Sequence, residues 1–385
     1  MPPPLDLPEP APEERALSER LQARLREEMA RAGPMPFSRF MELALYAPGL
    51  GYYTAGETKF GAAGDFITAP EAFPLFGRCL AQSVDEVLQQ TGGDVLEVGA
   101  GSGKLAAVLL AELASRGRLP ERYWILELSA ELRERQAATL AREAPAWRDR
   151  VGWLETLPPA GFRGVVIANE LLDAMPVERF RVAADGVKRL CVDWRADRFV
   201  WTEADAGPAI AERVAPLKLA EGYVSEIGFA AEAWVRSIGE RLAAGALLLI
   251  DYGFPRAEFY HHDRSAGTLM CHYRHRAHPD PLVLVGLQDI TAHVDFTAIA
   301  EAGAEAGLEL LGYTSQAAFL IGNGIDALVA GSNPADVRTH LALVEQVKKL
   351  TLPHEMGELY KAMALGRGLT RQLRGFALQD RRGRL

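Results

Sequence analysis

The stretch VLEVGAGSGK at residues 95–104 constrains the chain more than any other. A short apolar strand, Val95–Val98, runs into glycines at 99, 101 and 103, and Lys104 to Arg116 then carries the spacing of a helix. A strand that turns on alternate glycines into a helix opens a doubly wound sheet, and such sheets bind ligands at the carboxyl end of that strand. Glycine suits the turn because a Cβ would hold the backbone away from the ligand. The pattern then repeats. Tyr123–Leu128 reads as a strand and Ser129–Ala144 as a helix that Ser129 can cap. Val151–Leu154, Val165–Ala168 and Ala246–Ile250 read as strands, the last preceded by a helix at Ala230–Ala243. The predicted fold is α/β, a Rossmann-like doubly wound sheet with helices on both faces. Leu308–Tyr313 and Leu359–Leu365 read as late strands of the same sheet.

Around this core the chain is uneven. Residues 1–12, rich in proline and acids, read as a disordered lead. Residues 13–92 read as a helical cap and cofactor-covering loop. Leu17, Leu21, Leu25 and Met29 mark an amphipathic helix that Gly33-Pro34 ends, and Phe37–Tyr46 and Leu75–Gln90 read as two more. Between them, 48–71 is glycine-rich with interleaved aromatics, a composition that suits a functional loop. The sheet domain spans 93–368, with insertions near 178–228, 254–296 and 317–357, and 369–385 reads as a basic tail. Within 366–385 six arginines face one aspartate, a surface expected to be solvated.

Two familiar nucleotide loops fail at residues 95–104. A dinucleotide fingerprint counted from Gly99 meets Lys104 where its third glycine belongs. A phosphate loop counted back from Gly103 meets Val98 in place of its first glycine, and Leu105 in place of Ser or Thr. What remains is ExGxGxG, which resembles the first motif of class I S-adenosylmethionine-dependent methyltransferases. The resemblance implies that Gly99, Ala100, Gly101 and Gly103 pass the methionine and ribose portions of that cofactor. Glu97 is buried by pattern and needs partners, either backbone N–H groups or the cofactor ammonium. Glu127, 24 residues after Gly103, stands at the end of the second strand, where a carboxylate accepts hydrogen bonds from ribose hydroxyls.

Longer blocks narrow the resemblance. Residues 37–77, VIANELLDAMPVERF (166–180), 247–281 and GLQDITAHVDFTAIAEAG (286–303) resemble the MidA-like family, which contains the mitochondrial complex I assembly methyltransferases and their bacterial counterparts. The likeness runs from about residue 15 to residue 368. It implies a class I methyltransferase with an N-terminal helical cap, S-adenosylmethionine as cofactor, and methylation of an arginine on a protein, in the mitochondrial members a subunit of respiratory complex I. It also implies that the block GDFITAPE folds over the cofactor, with Gly64, Phe66 and Thr68 at the pocket. Glu71 reads as an acid at the start of the next helix.

The catalytic candidates follow the fourth and fifth strands. Asn169, Glu170 and Asp173 lie where class I methyltransferases place substrate-contacting groups. A carboxylate can orient a guanidinium with fork-like contacts and hold charge on its far nitrogens. Arginine methyltransferases use two glutamates for this, and Glu178, eight residues after Glu170, offers an analogous second one. His293, in a family-specific block, is a candidate pocket residue, and Tyr252 a candidate lining residue. The other histidines, at 261, 262, 272, 275 and 278, lack carboxylates at metal-ligand spacing, so no metal site is expected.

Charge and cysteine usage limit the alternatives. Forty-two basic against 51 acidic side chains give a net charge of −9, unsuited to general phosphate-backbone binding. The NPPY-type loop of enzymes that methylate nucleic-acid amino groups is replaced by NELL at 169–172. Three cysteines without CxxC spacing suit a reducing compartment, and neither a targeting segment nor a membrane span is apparent, so the protein is expected in the cytoplasm. Nothing in the sequence specifies an oligomeric state. Two further readings stay open: an assembly chaperone with a vestigial cofactor pocket, and a methyltransferase of small molecules or nucleic acid.

Overall fold

The computed structural model of the protein describes residues 7–55, 68–333 and 336–385. Gly64 and Phe66, expected over the cofactor, lie outside the described residues, as do the first six positions of the lead. The chain divides into two compact units, one of residues 1–66, 173–231 and 254–295, the other of 67–172, 232–253 and 296–385.

Seven strands of the second unit form one sheet: β1 Asp94–Val98, β2 Tyr123–Leu126, β3 Val151–Leu154, β4 Phe162–Asn169, β5 Leu242–Phe254, β6 Glu309–Ser315 and β7 Tyr360–Arg367. Their order is β6-β7-β5-β4-β1-β2-β3. All neighbours from β5 to β3 are parallel, and β7 runs antiparallel between β5 and β6. The order reverses beside β1, so the carboxyl ends of β1 and β4 flank the switch point where doubly wound sheets bind ligands. Val165–Ala168 and Ala246–Ile250 are buried without interruption, as strands covered on both faces must be.

Helix Pro74–Thr91 buries Leu80, Val84 and Val87 in the same core as helix Lys104–Ser115 and the sheet strands. It therefore belongs to the sheet unit, and the boundary between units falls inside the segment read as one cap. Ser129 accepts from the Leu132 N–H at 3.3 Å and caps helix Ala130–Glu143 as expected. The insertion near 317–357 holds helices Gln316–Gly322, Ile325–Ala330 and Val337–Thr351. Residues 369–385 are not simply a solvated basic tail. Leu373 and Phe376 are buried, Phe376 packs on Phe319, and Arg381 grips Glu358 through two contacts of 2.8 and 2.9 Å. The arginine count concealed this, because a packed segment needs only a few apolar anchors and its cations can find carboxylates elsewhere.

In the first unit, helix Pro12–Ala32 buries the predicted stripe of Leu17, Leu21, Leu25 and Met29. It starts on Pro12, the last residue of the predicted lead, where proline is compatible with a first helical turn. Strands Glu178–Ala183, Gly186–Arg195 and Arg198–Asp205 form an antiparallel meander, joined by Val224–Ile227 and Met35–Pro36. Tyr52 is fully buried, and the Tyr53 hydroxyl donates to Asp289 at 2.8 Å.

Candidate active site

The glycine loop connects β1 to helix Lys104–Ser115 with φ of +71° at Gly99, +51° at Gly101 and +86° at Gly103. These are left-handed conformations, open to glycine at little cost. Space adds a second reason: a Cβ at Gly103 would stand 3.1 Å from the Gln136 Cα.

Glu97, in β1, is 3% exposed. Its hydrogen-bond partner among the described residues is a side chain: the Tyr123 hydroxyl donates to its Oε2 at 2.6 Å. Burial pushes the Glu97 carboxyl up to about 7, against the lowering effect of that hydrogen bond.

Glu127 follows β2 directly and is buried. Its Oε1 accepts from the Ser129 N–H at 2.9 Å and its Oε2 from Gln136 Nε2 at 3.1 Å. Burial raises its pKa, and these hydrogen bonds oppose the rise. Gln136 was not singled out in the sequence. It is fully buried, donates also to the Gly101 carbonyl at 3.1 Å, and accepts from Trp153 Nε1 at 2.9 Å. One amide thus ties the strand-end carboxylate to the glycine loop.

Glu170, the first residue beyond β4, has φ +50°, a left-handed backbone rarely adopted by a side chain of this size. Three contacts hold it there. Its N–H donates to the Ile250 carbonyl at 2.9 Å, Asn169 Nδ2 donates to its Oε1 at 3.1 Å, and the Tyr360 hydroxyl donates to its Oε2 at 3.0 Å. The turn itself is pinned by Asp251, 1% exposed, whose Oδ2 accepts from the N–H groups of Leu171 and Leu172 at 3.2 and 2.9 Å. Asn169 Oδ1 is a buried acceptor without a hydrogen-bond partner among the described residues. Tyr252 meets the Tyr360 ring edge to face at 5.4 Å.

The second unit thus contains the loop glycines, Glu97, Glu127, Asn169 and Glu170, with Thr68 preceding the short helix Ala69–Ala72. Asp173 and His293 belong to the first unit. Asp173 is buried, and its carbonyl accepts from the Ala292 N–H. His293 is half-buried with its ring edge-on to Phe254 at 5.2 Å. Glu178 is not a free second clamp, because Arg189 holds both its oxygens and Ser38 donates to it at 2.6 Å. Spacing along the chain could not reveal a guanidinium brought in across a hairpin. Among the described residues, the one histidine-containing group with closely spaced ligand atoms is His261, His262 and Asp263, all exposed.

The donor set fits S-adenosylmethionine. Glu127 retains lone pairs for ribose hydroxyls beyond the bonds it accepts from Ser129 and Gln136, and the buried Ser102 Oγ in the glycine loop has no partner among the described residues.

Comparison with known proteins agrees with this fit. A family model described as "Putative S-adenosyl-L-methionine-dependent methyltransferase" matches residues 75–314. The crystal structure of a protein from Burkholderia thailandensis, bound to S-adenosyl-homocysteine, superposes with a TM-score of 0.96 at 49% identity, covering 99% of this chain and all of that one. The mitochondrial protein arginine methyltransferases NDUFAF7 of zebrafish (Danio rerio) and mouse (Mus musculus) are 28% and 29% identical over 86% of this chain, and over 82% and 81% of their own lengths. The chain belongs to the MidA-like family of class I S-adenosylmethionine-dependent methyltransferases, and S-adenosylmethionine is its cofactor.

Proposed function

We propose that the protein transfers the methyl group of S-adenosylmethionine to an arginine side chain of a protein. The observation that carries this reading is the pairing of Glu170, anchored through both oxygens, with the unpartnered acceptor Asn169 Oδ1 beside it. A guanidinium offers five N–H donors in a planar fork, and a cluster of fixed acceptors is its natural complement. The names of the NDUFAF7 relatives support the same substrate class.

The cofactor supplies an electrophilic methyl group on a sulfonium. Glu127 and Gln136 hold the ribose side of the pocket. Glu170 and Asn169 orient the guanidinium and localise its charge on the nitrogens they contact, so that the remaining nitrogen keeps its electron pair. That nitrogen forms the C–N bond as the cofactor's C–S bond breaks with its electron pair left on sulfur, and Glu170 takes the released proton. Rate enhancement comes chiefly from position and electrostatics. We keep His293 and Asp173 as candidate substrate residues and Thr68 as a candidate cofactor residue, as the family resemblance implies. Three buried free cysteines support a reducing, cytoplasmic setting, and no helix of the described residues is long and apolar enough to cross a membrane.

The test is incubation of the full chain with isotopically labelled cofactor and a lysate, followed by mass spectrometry of labelled peptides. A respiratory complex I subunit, or its assembly intermediate, is the first species to examine. Label on arginine, lost with Glu170→Gln, is the expected result. Label confined to small molecules or nucleic acid would replace this reading.

A further inference from the structure

The glycine loop carries two features of a phosphate seat. Its alternate left-handed glycines belong to the class of backbone that gathers N–H groups around an anion, and a lysine, Lys104, opens the helix behind it. The seat is already taken. Glu71, whose side chain is 8% exposed, places its Oε1 3.1 Å from the Ser102 N–H and 3.4 Å from where a Cβ on Gly101 would stand. Lys104 Nζ lies 3.5 Å from Glu71 Oε2 and donates to the Glu71 carbonyl at 3.0 Å. Glu97 feels the same charge: its carboxyl is pushed up first by burial and in smaller part by Glu71.

We propose that Glu71 is a specificity-determining residue, whose carboxylate fills the anion seat at Ser102 and Lys104, so that the loop refuses phosphate-bearing ligands and accepts a phosphate-free, cationic nucleoside cofactor. The logic is one of exclusion by like charge: a pyrophosphate would have to displace an internal carboxylate that is already hydrogen-bonded and paired. S-adenosylmethionine, whose ammonium and sulfonium outweigh its single carboxylate and which has no phosphate, is net cationic and brings no pyrophosphate to that seat. This role does not depend on which substrate is methylated.

Calorimetry with inorganic pyrophosphate and S-adenosylmethionine tests it on the full chain. Wild-type protein is expected to bind S-adenosylmethionine with no competition from pyrophosphate. Glu71→Gln, which keeps an acceptor for Ser102 and drops the charge, is expected to gain pyrophosphate binding by roughly ten- to a hundredfold, the value of one charge-assisted contact. Adding Lys104→Met to it is expected to remove the gain. Glu71→Asp withdraws the same charge by one methylene and decides the matter if the glutamine variant does not fold, with a partial gain expected. Competition by pyrophosphate on the wild-type protein, or a folded Glu71 variant as indifferent to pyrophosphate as wild type, overturns the proposal.

Discussion

The Tyr360 hydroxyl donates to Glu170 Oε2 at 3.0 Å, joining residues 190 positions apart in the chain. One lies on the antiparallel strand β7 and the other just past the parallel strand β4, and β5 separates those strands in the sheet. The tyrosine reaches across a strand to fix a carboxylate whose own backbone is left-handed. Tyr360→Phe should therefore leave the fold and cofactor affinity in place and lower methyl transfer by roughly tenfold, as expected for one hydrogen bond to a charged group. Single-turnover labelling beside calorimetry checks this. Unchanged transfer would show that Glu170 needs no such anchor.

Gly101→Val places a β-branched side chain at φ +51°, with its Cβ 3.4 Å from Glu71 Oε1. Backbone strain alone should cost about 1–2 kcal/mol. S-adenosylmethionine binding is expected to disappear in calorimetry while circular dichroism still reports the α/β fold. A variant that binds the cofactor normally would remove the loop from the site.

Gln136→Leu deprives Glu127, Gly101 and Trp153 of their shared partner. Leaving buried polar groups unpaired should cost about 1–3 kcal/mol of stability. Because Glu127 loses its orientation as well, cofactor affinity should fall about tenfold, against an unaffected control such as Gln372→Leu on the surface.

Glu97 gives the stability a pH dependence with a definite sign. Its folded-state pKa is raised to about 7 from an ordinary value of 4.5. Between those values the folded protein keeps a proton that the unfolded chain releases, so this group's contribution is fully present below about 4.5 and is lost as pH rises through 7. The amplitude is about 3 kcal/mol. Melting temperature measured from pH 4.5 to pH 7.5 should fall less steeply in Glu97→Gln than in wild type. Parallel slopes would mean that Glu97 is ionised throughout.

Much of the candidate site rests on local pattern. Three glycines after a strand, a carboxylate ending the next strand, and Glu170 at the end of the fourth are all features in which chain neighbours set geometry. Ser129 as a helix cap belongs to the same group, since its partner is three residues away. What escaped was non-local. Gln136 lies on a mostly polar helix, and nothing in the heptapeptide around it says that its amide meets a glycine loop 35 residues earlier. Tyr360 and Asp251 act through strand order, which pattern along a chain does not encode. Glu178 illustrates the converse error. Its distance from Glu170 suggested a clamp, yet a hairpin delivers Arg189 to it first.

Strand β7 enters the sheet between β5 and β6, although both leave the ribosome before it. A nascent chain stalled after β6 already carries β1, β2 and the helices after them, and with them the glycine loop and Glu127. It cannot supply Tyr360. In chain order the glycine loop and Glu127 thus precede the tyrosine, and an unfinished polypeptide carries Glu170 without the hydroxyl that steadies it.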